Sequence, residues 1–142
     1  MSAVRIRHAE VGDEAFWFRL DRHLPEAEVY RKVRDRMGYL LLEDEVPVGL
    51  LRYNLFWDQI PFCTMLFVER SGRGKGFGTA LMARWEEDMR NGGHHLAMVS
   101  TQADETAQHF YRKLGYRDAG GLLLPVPGFE QPVELFLVKA LS

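Results

Sequence analysis

A single cysteine, Cys63, is all the thiol this 142-residue chain carries, so no internal disulfide is available to it. Cys63 lies in an apolar, strand-like run and reads as a core thiol rather than a nucleophile. The chain has no run of about 18 or more apolar residues, which excludes a helical membrane span. Its start, Met1-Ser2-Ala3-Val4-Arg5, lacks the hydrophobic segment of a secretory signal, and a cytoplasmic location is expected. An excess of one charge is also missing. With 18 Lys and Arg against 20 Asp and Glu, the net charge of -2 provides no global basic field for a nucleic-acid backbone. The five histidines, His8, His23, His94, His95 and His109, form no zinc-ligand pattern with the lone cysteine, so no metal is expected. No internal repeat or low-complexity segment is apparent.

What is present suits one sizeable core: 46% hydrophobic residues in a length comfortable for a single domain, 1–142. Acidic residues gather early, at Glu10, Asp13, Glu14, Asp21, Glu26 and Glu28. They favour a cationic ligand over a polyanion, or else form solvated helical faces. The most informative segment is Arg73-Gly74-Lys75-Gly76-Phe77-Gly78, between the apolar run Phe62 to Val68 and an amphipathic stretch from Phe77. Glycine at every second position from Gly72 to Gly78 lets backbone amides approach a ligand closely. Phe77, Leu81, Met82, Trp85 and Met89 then recur on one side of a helix, with Arg84, Glu86, Glu87 and Arg90 largely on the other. A helix start with free amides, near Arg70, Arg73 and Lys75, suits a pyrophosphate; the plainer alternative is a solvated basic turn. A Walker loop fails because Lys75 is followed by Gly76 rather than Ser or Thr. A dinucleotide fingerprint fails because its third glycine would fall on Thr79 or Phe77.

Along the chain, Val4-Arg5-Ile6-Arg7 alternates as a first strand. Two helical segments follow, with Phe16, Trp17, Leu20 and Leu24, and then with Val29, Tyr30, Val33 and Met37 after Pro25, the second stopped by Gly38. Tyr39 to Leu42, Val46 to Tyr53 and Ile60 to Val68 read as three antiparallel strands, the first two joined by the tight turn Glu43-Asp44-Glu45. After the helix Phe77 to Asn91 and Gly92-Gly93 comes the strand Leu96 to Val99, completing a right-handed βαβ unit with its phosphate site at the carboxyl edge of the sheet. Ala107, Phe110, Tyr111 and Leu114 mark a short helix, starting either from a Thr101/Asp104 capping box or one turn later from Asp104 alone. Tyr116 to Leu124 and Val133 to Val138 are final strands flanking an ordered irregular loop, Pro125 to Pro132. The expected order, β-α-α-β-β-β-α-β-α-β-β, describes an α/β fold: a mixed central sheet with helices on both faces.

These features resemble the GNAT (Gcn5-related N-acetyltransferase) superfamily. Arg73-Gly74-Lys75-Gly76-Phe77-Gly78 matches its Gln/Arg-x-x-Gly-x-Gly/Ala acyl-CoA signature, and Ala107-Gln108-His109-Phe110-Tyr111-Arg112-Lys113-Leu114-Gly115-Tyr116 matches the signature near Ala-x-x-x-Tyr-x-x-x-Gly-Phe. The resemblance implies a GNAT-like sheet whose central strand pair, ending near Val68 and Ser100, splays to admit pantetheine. It also implies acetyl-CoA or coenzyme A as cofactor, held by Leu66, Phe67, Val68, Arg73 through Thr79, Asp104, Ala107, Phe110 and Tyr111. A backbone amide of Leu66 to Val68 would polarise the acetyl carbonyl. Asp104 stands where the family often has Asn.

Amine attack on a thioester needs an unprotonated nitrogen, a polarised carbonyl and a stabilised thiolate. Tyr111 is the expected general acid, since a phenol keeps its proton at neutral pH; the alternative is a packing tyrosine. Glu69 or Asp58 would serve as general base, unless the amine arrives deprotonated or loses its proton through water. Trp17, Glu26, Tyr30, Tyr53 and Trp57 are candidate acceptor-binding residues, or else structural. The expected activity is direct transfer of acetyl to a primary amine of a small molecule or peptide. An oxygen acceptor, a longer acyl chain and a non-catalytic CoA-binding domain remain alternatives. Neither nucleic acid nor membrane is an expected partner; a homodimer through the late strands or the proline-bearing loop is left open.

Overall fold

The computed structural model describes residues 2–142. The elements are β1 (Val4–His8), α1 (Glu14–Leu20), α2 (Glu26–Asp35), β2 (Gly38–Glu43), β3 (Val46–Phe56), β4 (Ile60–Val68), α3 (Phe77–Asn91), β5 (Leu96–Gln102), α4 (Ala107–Lys113), β6 (Arg117–Leu122) and β7 (Glu134–Ala140), with a single 3-10 turn at Arg70–Gly72. This is the expected order, element for element. The sheet has seven strands in the order β1-β2-β3-β4-β5-β7-β6. β4 and β5 are parallel, whereas β1-β2, β2-β3, β5-β7 and β6-β7 are antiparallel. The register of β4 with β5 holds two pairs, Phe62↔Met98 and Cys63↔Val99. β4 continues beyond them to Val68.

By its contacts the chain divides into two compact units, and β4 and α3 contribute a part to each. The first comprises the residues up to Asn54 and Met65–Trp85. Here β2 is buried from Gly38 to Leu42, because its two faces are both covered. Leu40, Leu42 and Leu50 pack with Trp17 of α1 and Val29 of α2. On the other face, Gly49 brings β3 so near Leu41 and Leu81 of α3 that a Cβ there would lie 3.1 Å from Leu81 Cδ1. A strand covered on both sides needs apolar residues at every position, which is why Tyr39-Leu40-Leu41-Leu42 shows no alternation. The turn from β2 to β3 is the expected tight one, with Asp44 and Glu45 at φ 51° and 67°.

The second unit comprises Leu55–Thr64 and Glu86–Ser142. Its hairpin turns at Trp57 and Asp58, at φ 55° and 62°. β5 is buried through Ala97, Met98 and Val99 and pairs with β7 along its whole length, from Leu96↔Ala140 to Gln102↔Glu134. β6, at the sheet edge, is exposed at all six positions.

Two local expectations fail. Gly38 does not stop α2, which ends at Asp35, with Arg36 left-handed at φ 60° and Met37 N donating to Lys32 O. Gly38 instead opens β2, and its missing Cβ makes room for Trp17: an added Cβ would lie 2.4 Å from Trp17 Cη2. Gly38→Ala is therefore expected to destabilise by about 1–3 kcal/mol, through overpacking against a ring that has nowhere to go. Urea unfolding checks this, and an unchanged midpoint would mean that the ring has slack. Asp104 and Thr101 do not cap α4, either as a box or singly. The helix starts at Ala107 behind Thr106, with no side-chain cap. The preceding turn is held by Glu105 Oε1, which accepts from Gln102 N at 2.9 Å, and by Gln108 Nε2, which donates to Ala103 O and Glu105 O.

Candidate functional site

In the first unit, β4 runs into a turn that exposes amides. Glu69 N donates to Val48 O at 2.8 Å, Gly72 N to Glu69 O and Arg73 N to Arg70 O. The α3 ladder opens with Ala80 N on Gly76 O at 3.0 Å. Between these bonds, the amides of Gly74, Lys75, Gly76, Phe77, Gly78 and Thr79 have no partner among the described residues. Gly74 and Gly76 sit at φ 78° and 79°, where L side chains are strained, and a Cβ on either would meet nothing within 4 Å. Conformation rather than packing therefore demands these two glycines. Alternating left-handed residues turn successive N–H groups into one concavity, and the helix dipole adds positive potential there. Gly72 has the opposite reason: a Cβ would lie 3.0 Å from Phe77 Cδ2 and 3.2 Å from Val68 Cγ1, so it locks the turn against the strand end. The donor set matches a diphosphate: several unpaired amides in one nest at the start of a 15-residue helix.

The basic side chains are less free than the sequence implies. Arg73 Nε donates to Val68 O at 3.0 Å, with its guanidinium 5.7 Å from the Phe67 ring centroid. Lys75 Nζ bonds Glu43 at 2.9 and 3.1 Å. That bond, followed by one from Ser2, holds the Glu43 carboxyl below its ordinary range. Lys75 is exposed, and an anion can compete with Glu43 for the ammonium.

Glu69 stands just past the carboxyl end of β4, and Arg19 of α1 donates to its Oε1 at 2.6 Å. Asp58 is at the other end of β4, on the exposed hairpin turn. Glu69 adjoins the glycine turn. Of the aromatic residues expected to form walls, Trp17 and Tyr53 are core residues. Trp17 is wholly buried, its indole donating to Asp21 Oδ2 at 3.1 Å, and Tyr53 packs on Trp85 at 5.8 Å. Neither can form a wall. Tyr30, Trp57 and Glu26 are exposed. A shallow cavity of about 560 Å³, wide open to solvent and lined by Ala15, Phe18, Arg19, Asp21, Arg22, Leu24 and Glu26, lies against α1 and the start of α2; of its residues only Glu26 was anticipated as a contact.

In the second unit, α4 buries Tyr111 to 7% exposure against Phe110 at 5.3 Å and Tyr116 at 5.9 Å. Burial first, then the charges of Cys63 and Glu105, push its phenol well above the ordinary range. Tyr111 is therefore a protonated donor at neutral pH, and its hydroxyl has no hydrogen-bond partner among the described residues. Cys63 is buried too, as a core thiol would be. Tyr116 is tied down instead: its hydroxyl donates to Glu86 Oε2 at 2.8 Å, while Lys139 Nζ donates to Glu86 Oε1 at 2.7 Å. Sequence reasoning missed this triad by assigning Glu86 to the polar side of α3. Its position four residues after Met82, within the apolar stripe, was the available signal.

A mixed sheet with a parallel β4-β5 pair, followed by an amide nest heading α3, defines an α/β fold with an anion-binding turn at a helix start. The chain belongs to the acetyltransferase (GNAT) family, whose family model matches residues 6–116. Its fold is similar to the ribosomal-protein-S18-alanine N-acetyltransferase of Escherichia coli, at TM-score 0.83 and 15% identity over 99% of this chain and 95% of that one. It is also similar to Ard1 of Thermoplasma volcanium, at 0.82 and 16% over 97% of each chain. A third likeness is yncA of Salmonella typhimurium with its cofactor acetyl-CoA, at 0.76 and 18% over 99% and 95%. Comparison with curated proteins finds no match.

Proposed function

We propose that this protein transfers acetyl from acetyl-CoA to a primary amine of a small molecule or peptide, within a ternary complex. The observation that carries this reading is the nest of unengaged amides from Gly74 to Thr79. It is supported by membership of the family and by the acetyl-CoA named with the Salmonella structure. The cofactor supplies an acetyl thioester, whose C–S bond breaks as the C–N bond forms.

The chain's own groups fill the remaining roles. Amides of Gly74 to Thr79 bind the diphosphate, aided by Arg73 and Lys75. An amide from Leu66 to Val68 polarises the carbonyl, and Asp104, Ala107 and Phe110 flank the cofactor. Tyr111 gives its hydroxyl proton to the departing thiolate. Glu69 takes the amine proton, directly or through water.

CoA should bind in a 1:1 ratio by calorimetry, and NAD should not. Gly76→Val places a β-branched residue at φ 79°, so CoA affinity should fall about tenfold or more as the nest opens. Folded protein that binds no CoA would end this reading. Mass measurement of products from a panel of amines then separates transfer from hydrolysis.

A further inference from the structure

Glu69 does not present a bare carboxylate. Arg19 Nη2 lies 2.6 Å from Glu69 Oε1, and the same guanidinium sits 5.3 Å from the Phe16 ring centroid. Glu69 is about a quarter exposed, whereas Arg19 is 60% exposed, so the arginine covers the acid from the solvent side. Arg19 also lines the cavity against α1 and α2. Asp21, in the same cavity, is already satisfied: it is 2% exposed and takes bonds from the Trp17 indole and from both Nε and Nη2 of Arg52. Cation binding by Asp21 would require dismantling that buried pairing. Of the two carboxylates that line the cavity only Glu26 is exposed, and Glu69 adjoins it through its pair with Arg19.

We infer that Arg19 is a specificity-determining residue that occupies the acceptor's cation position on Glu69, so that an acceptor gains access by exchanging its ammonium for the guanidinium. The inference rests on the reading of Glu69 as the group that receives the amine proton. While Arg19 is in place, Oε1 is engaged, and an incoming cation competes with the guanidinium for the carboxylate. The exchange is small in extent. The α1 end is anchored by Asp21 N on Trp17 O at 2.9 Å and by the Trp17 indole, so only the Arg19 side chain has to turn outward. One monodentate ion pair and one ring contact hold it, both of the kind that is weak when exposed. Glu69 then passes from one cation to another without being left unpaired. The device selects acceptors that arrive as cations and gives a neutral amine no means of displacing the guanidinium. It also makes small guanidinium ions ligands for the vacated position.

The probe is guanidinium chloride titrated up to the highest concentration that leaves the protein folded, compared with sodium chloride at equal ionic strength and followed by NMR shifts of Phe16 and Glu69. In Arg19→Ala it should bind saturably, with a Kd on the order of 10–100 mM from one ion pair and one ring contact. Binding should be at least about fivefold weaker in the wild type, where Arg19 fills the place, and lost in the Arg19→Ala/Glu69→Gln double variant. For an amine that the enzyme acetylates, KM should fall about two- to fivefold in Arg19→Ala and rise again with added guanidinium. Equal guanidinium binding by wild type and Arg19→Ala, no saturable binding by Arg19→Ala, or binding that survives Glu69→Gln would each overturn the inference. Failure of the transferase reading has a separate signature: absent CoA binding with the guanidinium result intact.

Discussion

Tyr111→Phe is expected to lower kcat for acetyl transfer by about 10²- to 10⁴-fold, the range typical of a lost general acid, while CoA affinity changes by less than about twofold. Stability should change by no more than roughly 0.5 kcal/mol, the ordinary scale for a substitution that strands no partner. The reason is local: the Tyr111 hydroxyl has no protein partner among the described residues, and the ring that fills the space against Phe110 and Tyr116 remains. Tyr116→Phe is the contrasting control. It removes a 2.8 Å bond to a buried carboxylate and should cost about 1.5–3 kcal/mol of stability. Single-turnover kinetics with calorimetric CoA titration separates the two effects. Undiminished single-turnover rates in Tyr111→Phe would remove the phenol from the proton path.

A second large effect is expected in alkali. Both Tyr111 and Tyr116 have folded pKa values raised above that of an unfolded tyrosine. Burial is the main cause for each, joined at Tyr116 by the charge of Glu86 and the hydrogen bond to it. The stability this contributes is fully present below about pH 10 and is lost as pH rises toward the folded values, because the unfolded chain then releases protons that the native one keeps. Each phenol should contribute a fall of about 1.4 kcal/mol per pH unit above pH 10, and the two together roughly twice that. Lys32 acts with the opposite sign. Burial and then Arg52 lower its folded value, so its contribution rises with pH only until the unfolded lysine has titrated, near pH 10.5. Urea unfolding at stepped pH should show a plateau and then a steep decline, with about half the slope in Tyr116→Phe. A flat profile through about pH 11.5 would mean that both phenols ionise inside the fold.

The glycine turn and the α3 stripe were legible because they depend on local rules: two glycines at positive φ and apolar spacing on one helix. The same holds for Tyr111, whose place in α4 follows from the short period of Ala107, Phe110 and Leu114. The acceptor side was much less legible. Trp17 looked like a wall residue, yet it is the ring over Gly38, and the glycine assigned to helix termination is the space that ring occupies. Asp104 looked like a cap because Asp commonly is one, but Glu105 and Gln108 hold that turn instead. An aromatic side chain can face a ligand or a core with the same local sequence. Which it does depends on residues more than 20 positions away.

By itself the sequence determined the order of elements, the amide nest and its family, because backbone conformation and hydrophobic period are read within a few residues. Only the tertiary structure decided which charges are committed: Asp21 to Arg52, Glu86 to Tyr116 and Lys139, Lys75 to Glu43, and Glu69 to Arg19. The physical reason is that an ion pair forms between groups brought together by the packing of separate elements, and nothing in the local sequence around either partner records the distance between them.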